Sequence, residues 1–246
     1  MSLGRERRGE IAVLRLDRPE RRNAMDAALL GELLEALGGL AGDRRLRALV
    51  FSTTSERALC AGADVGEPLD QAGGVARMEL FARLYAAVEG FPVPTLAVCV
   101  GHCVGAGAEL AAGCDLRVGG DNLKLTWAGA RMGVPVGPAR LVPLVGLAAA
   151  KALILTGRTV GTEEARALGL VQRTAPAAQA EAATLALAEE VAAHPPDGLR
   201  ALKDLFRALD DGPARIAQEN AALMDAQRAG AGLPSPWPTG SVPPAG

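Results

Sequence analysis

Two short apolar runs constrain this 246-residue chain most. Leu46-Arg47-Ala48-Leu49-Val50-Phe51-Ser52 lacks the regular apolar–polar alternation of a strand with one wet face, so it suits a sheet covered on both faces. Thr95 to Val100 is a second run, and it feeds into Gly101-His102-Cys103-Val104-Gly105-Ala106-Gly107-Ala108-Glu109-Leu110-Ala111-Ala112-Gly113-Cys114-Asp115. Small residues let a ligand approach the backbone closely. A helix start offers free N–H groups and a positive dipole end to developing negative charge. Glu109 stands in the first turn of that helix, a lone carboxylate among small and apolar residues, and is a candidate acid/base group.

Elsewhere strands and helices alternate. Residues 1–10 are charged and read as frayed, apart from a strand start; Ile11 to Asp17 is a strand ended by Arg18-Pro19. Asp26 is placed to cap a helix running to about Gly38, in which Leu29, Leu30, Leu33, Leu34 and Leu37 recur at helical spacing. A second helix is expected over 75–88, short strands at 116–118 and 123–126, and helices at 139–145 and 147–156. Thr162 reads as the cap of a short helix, and 170–173 as a short strand. Three further helices fill 177–193, 197–210 and 213–229. The reading is an α/β core over 1–190, a C-terminal helical region over 191–230 and a disordered Gly/Pro/Ser-rich tail over 231–246.

Composition narrows the function. A net charge of −2 with scattered cations gives no nucleic-acid footprint. No apolar run reaches the roughly 18 residues of a membrane span, and no charged-then-apolar leader opens the sequence, so a cytoplasmic protein with no membrane partner is expected. Cys60, Cys99, Cys103 and Cys114 lack metal-ligand spacing and read as buried thiols, so no metal is expected.

A second small-residue loop, Ala58-Leu59-Cys60-Ala61-Gly62-Ala63-Asp64-Val65-Gly66, also follows an apolar strand. Neighbouring βα units bring strand ends to one sheet edge, so one N–H from each loop can converge on one oxygen. Each such donor is typically worth about 3 kcal/mol of transition-state stabilisation. Taken singly, either loop is equally a tight strand–helix turn. Neither has the Gly-Lys-Ser/Thr ending of a phosphate loop or a full dinucleotide fingerprint.

With the loops paired, the chain resembles the crotonase superfamily, the enoyl-CoA hydratase/isomerase family, over roughly residues 10–210. Four segments in order carry the resemblance. They are Leu16-Asp17-Arg18-Pro19 with Asn23-Ala24-Met25, Cys60 to Val65, Gly105 to Leu110 with Cys114-Asp115, and Gly133-Val134-Pro135-Val136-Gly137 with Arg140-Leu141. The resemblance implies an α/β spiral of ββα units with a C-terminal helical trimerisation region, assembled as a homotrimer or as a hexamer built from two trimers. It implies an acyl-CoA thioester substrate, with coenzyme A part of that substrate and no separate cofactor. The thioester oxygen would sit between the N–H groups of Ala63 and Ala106, with Glu109 catalytic. CoA and the acyl group would contact Arg21, Arg22, Ala24, Ala61, Gly62, Asp64, Val65, Trp127 and Gly129. Lys203 is a further candidate at the CoA end, and Trp127 and Arg131 are candidates for shaping the acyl pocket. Arg21 and Arg22 are equally readable as a solvated turn, Trp127 as core, and Asp64 as a turn-stabilising residue.

Hydratases of that family use two glutamates. One matches Glu109, and Gly129 stands at the position of the other, with no carboxylate between Lys124 and Arg131. Loss of a positioned acid or base typically costs about 10²- to 10⁴-fold. A hydratase-like lyase with one acid/base group is the leading expectation. Isomerisation, decarboxylation, retro-aldol cleavage, thioester hydrolysis, or acyl-CoA binding with little turnover are the alternatives.

Overall fold

A computed structural model describes residues 2–233. Strands β1 (Leu3–Arg8) and β2 (Ile11–Leu16) form an antiparallel hairpin. The N-terminal residues are thus not frayed. Their charged side chains suit an edge strand, where they discourage further pairing, and Glu6 bridges to Arg8 and Arg15. Helix α1 (Ala27–Ala41) follows, capped by Asp26, whose carboxylate accepts from Leu29 N at 2.9 Å.

From there the chain climbs as a spiral, placing one strand in each of two sheets per turn. The turns are β3 (Ala48–Thr53) with β4 (Ala58–Cys60) and α2 (Gln71–Glu89); β5 (Thr95–Cys99) with β6 (His102–Val104) and α3 (Ala106–Gly113); and β7 (Leu116–Gly120) with β8 (Lys124–Thr126). The six-stranded sheet runs β1-β2-β3-β5-β7-β9, where β9 is Arg173–Ala175, and the three-stranded sheet runs β4-β6-β8. Strand β9 lies later than the 170–173 expected because its pairing with β7 sets it, through Gly119 against Thr174. The sequence reading placed residues 58–60 and 102–104 in the loops; the structure makes them strands of the second sheet. The chain enters the second of these at Gly101, where φ is +52° and an added Cβ would lie 2.2 Å from the Arg57 carbonyl oxygen. Only glycine fits that switch between sheets.

The large sheet is buried on both faces, as its apolar runs require. Val13, Val50, Val98 and Val118 face α6 (Ala180–Ala192), while Leu14, Phe51, Ala97 and Cys99 face the main core with α1 and α2. All four cysteines are buried free thiols.

Helix α4 (Pro138–Thr156) is broken at Gly146, whose φ of 77° and ψ of 162° split it into the two expected pieces. By length and mean hydropathy alone α4 would pass for a membrane span. It is divided at Gly146, and its first half carries Arg140 into a buried ion pair. Thr162 does not cap α5 (Thr162–Ala167); Gly161 holds that position and the Thr162 hydroxyl donates to the Gly120 carbonyl at 2.6 Å.

The C-terminal region is α7 (Pro196–Leu209) and α8 (Gly212–Arg228). Helix α8 packs on α2 and α4, and its Leu223 and Met224 belong to the main core. Within the expected tail, Leu233 N donates to Gln227 Oε1 at 3.0 Å, so the tail's first residues are held on α8. Residues 234–246 lie outside the described residues.

Candidate active site

Strands β4 and β6 are parallel neighbours, with Cys60 opposite Cys103. Their following loops therefore leave one edge of the small sheet together. A Cβ at Gly107 would lie 2.1 Å from the Cys60 carbonyl oxygen, and one at Gly105 would lie 4.0 Å from Gly62 Cα. These close approaches seat the start of α3 on the first loop.

Ala63 forms a parallel bridge with Met25, in which Met25 N donates to Gly62 O and Asp64 N to Met25 O, both at 2.8 Å. In extended backbone successive N–H groups point to opposite sides, so the Ala63 N–H points away from Met25. Ala106 opens α3, where helical N–H groups have no intrahelical acceptor. Among the described residues neither N–H has a hydrogen-bond partner.

Glu109 lies one turn into α3 and is 1% exposed. Its Oε2 accepts from Arg140 Nε at 2.5 Å. Burial pushes the Glu109 carboxyl up to about 7; Arg140 opposes that rise, and the negative charge of Glu219 adds to it. Arg140 itself is held charged: burial works against it, but Glu109 and Glu219 outweigh burial. The guanidinium also lies 4.4 Å from the Tyr85 ring centroid, a favourable cation–π placement.

The sequence reading named Arg140 only as part of a motif, and named neither Glu219 nor Tyr85. One signal was present. Glu219 sits on the apolar stripe of its helix, between Ile216 and Leu223, and a charge on a buried stripe calls for a partner.

Trp127 is buried, and its indole N–H has no acceptor among the described residues. A Cβ at Gly137 would lie 3.0 Å from Trp127 Cδ1 and 3.2 Å from Glu109 Oε1. Trp127 and the Glu109 oxygen that Arg140 does not hold thus both lie against Gly137. A Cβ at Gly129 would meet the carbonyl oxygens of Val134 and Val136 at 2.8 and 2.9 Å. A side chain at Gly129 would therefore meet backbone, so the position is closed to a carboxylate unless residues 134–136 shift.

The first loop is anchored by Asn23, fully buried with φ of 55°. Its amide donates to Thr53 Oγ1 at 2.7 Å and to the carbonyls of Ala58 and Leu59 at 3.1 Å, and its oxygen accepts from Arg18 N at 2.7 Å. Asn23→Ala is expected to strand these groups and cost about 1–3 kcal/mol, measured by denaturant unfolding.

Arg21 and Arg22 lie exposed on the adjoining turn, while Ala24, Ala61 and Val65 are half-buried beside it and Gly62 is buried. Arg22 O accepts from Ala61 N at 2.9 Å, joining turn and loop. The Asp64 carboxylate is committed to Arg18 at 3.2 Å and Gly66 N at 3.1 Å, which gives it a loop-holding role. Lys203 is also reassigned. It is buried and bonds Asp115 at 2.6 Å and the Val93 carbonyl at 3.0 Å, so its ammonium is not offered to CoA.

The sequence profile of the enoyl-CoA hydratase/isomerase family matches residues 6–228. A Thermus thermophilus protein provisionally named an enoyl-CoA hydratase is 39% identical over 234 residues, covering 89% of this chain and 90% of its own. The 2,3-dehydroadipyl-CoA hydratase of Escherichia coli is 31% identical over 204 residues, covering 82% and 80%. The crystal structure of an enoyl-CoA hydratase from Bacillus anthracis superposes with a TM-score of 0.81 at 25% identity, covering 92% of each chain. Fold, paired loops and a profile match across nearly the whole described chain agree, and this protein belongs to the enoyl-CoA hydratase/isomerase family.

Proposed function

We propose that this protein hydrates an enoyl-CoA thioester, with the Ala63 and Ala106 N–H groups as the oxyanion donors and Glu109 as its single acid/base group. The observation that carries the proposal is the pairing of those two unpartnered N–H groups with a buried carboxyl poised near neutral pH. A general base works best when its pKa lies near the working pH.

In the proposed reaction Glu109 takes a proton from water as the water oxygen bonds to the β-carbon. The C=C electron pair moves toward the thioester oxygen, and the two N–H groups stabilise the enolate. Glu109 then returns the proton to the α-carbon as the carbonyl reforms. Arg21 and Arg22 would meet the CoA phosphates. The Trp127 indole N–H would hold the water beside Glu109 Oε1, a role the absent second glutamate leaves open.

Trp127→Phe keeps the ring and removes the donor. It is expected to lower kcat by up to roughly tenfold, the worth of one neutral hydrogen bond, with KM little changed in steady-state assays.

A single carboxylate also suits double-bond isomerisation, in which one base removes and returns the same proton. A panel of enoyl-CoA thioesters separates the readings. Hydration removes the conjugated absorbance and adds one water to the product mass. Isomerisation moves the double bond with no mass change. Tight binding with no product across the panel would sink both.

Assembly as a trimer or a dimer of trimers is proposed from α7. Its Leu202, Leu205, Phe206 and Leu209 recur on one face and are each more than half exposed, a stripe that calls for a covering surface.

A further inference from the structure

Arg140 enters the core from the first half of α4 and meets carboxylates from two directions. Its Nε grips Glu109 on α3, and its Nη2 pairs with Glu219 Oε1 on α8. The other Glu219 oxygen accepts from Gly137 N at 3.1 Å and Ala139 N at 2.7 Å, at the start of α4. Arg140 Nη1 has no partner among the described residues, so the grip on Glu109 is single-pronged and leaves Glu109 Oε1 toward Gly137.

Resting on the reading of Glu109 as the acid/base group, we propose that Glu219 is a positioning residue: by holding Arg140, it orients the Glu109 carboxyl and limits the positive charge that carboxyl receives. One guanidinium neutralises one carboxylate, so the buried trio carries an excess negative charge when both acids are ionised. Charge–charge forces are strong in such a site because little water screens them.

The other charged or titratable groups facing Glu109 are on α2. They are Tyr85, against the guanidinium, and Glu89 at longer range, itself paired with Arg215 of α8 at 3.3 Å. Both carboxylates act in the direction that favours a proton on Glu109, and Arg140 acts in the other. Without Glu219, Arg140 would be free to close on Glu109 with two parallel bonds, the stronger arrangement. Glu109 would then be a weaker base. The C-terminal helix would thus set the protonation of a group that lies 110 residues earlier in the chain, between Glu109 and Glu219.

The test compares the pH dependence of kcat in the native protein, Glu109→Gln and Glu219→Gln. Turnover retained in Glu109→Gln overturns the acid/base reading, whatever Glu219 does. With turnover lost there, Glu219→Gln is expected to move the acid limb to lower pH by roughly one unit, with KM for the thioester unchanged. A limb that stays in place in the folded variant overturns the positioning role and leaves Glu109 standing. Glu219→Asp serves where the amide variant does not fold, with a smaller shift in the same direction. Infrared difference titration of the Glu109 carboxyl band, against Glu109→Gln, reads the same shift without turnover.

Discussion

Glu109→Gln is expected to lower kcat by roughly 10²- to 10⁴-fold, the usual worth of a positioned acid/base group. Glu219, the other carboxylate at Gly137, is committed to Arg140 and to the Gly137 and Ala139 N–H groups and does not replace it. KM should change little, because the Ala63 and Ala106 N–H groups and the loop proposed to hold CoA remain. The variant also carries a stability signature. The folded Glu109 carboxyl titrates at about 7, above its unfolded value of about 4.3. A carboxyl raised in this way binds its proton more tightly in the folded state, so its contribution is greatest below pH 4.3 and is lost as pH rises through 7. Glu109→Gln removes that slope, and thermal melts between pH 5 and 8 should show the native protein losing more stability over this window than the variant. Unchanged turnover in a folded variant would remove Glu109 from the mechanism.

Arg140→Ala is expected to be the most destabilising single change at the site. It leaves Glu109 and Glu219 buried without their shared cation, and also leaves Tyr85 without its charge contact. Removing one partner of a buried ion pair typically costs about 3–5 kcal/mol. In a chain of this size that lowers Tm by on the order of 10 °C. The deficit should depend on pH. Glu109, already raised by burial, would lose the cation that opposes the rise, so the folded variant gains a proton more readily on acidification. The gap between native and variant Tm should therefore narrow from pH 8 to pH 5. A deficit independent of pH would mean that Arg140 acts through packing of its stem rather than through its charge.

The readable parts of this protein are those whose chemistry is local. Asp26 is a cap because a short acceptor precedes a leucine-patterned helix, and its carboxylate does bind Leu29 N. Gly146 divides α4 because glycine adopts a φ of 77° without a side-chain penalty. The pairing of the two small-residue loops follows from the strands that precede them. The short strands of the second sheet were less visible. Residues 58–60 and 102–104 read as loop, while the chain turns at Gly101 to enter the second sheet. Gly129 was legible as a missing carboxylate but not as a packed position, because the Val134 and Val136 carbonyls that fill its side-chain space belong to the next turn. Lys203 looked like a free cation at helical spacing, and its commitment to Asp115 spans 88 residues of sequence.

By itself the sequence determined the α/β class, the sheet covered on both faces, the two paired loops and the lone Glu109. Each rests on residue size, period or backbone freedom within a dozen positions. The tertiary structure alone decided what surrounds that glutamate. Arg140 lies 31 residues from Glu109 and 79 from Glu219 along the chain, and Tyr85 comes from a fourth helix. No local pattern specifies such a meeting. It follows from how α2, α3, α4 and α8 pack around one buried charge, where desolvation makes every unpaired group costly and so fixes which side chains must meet.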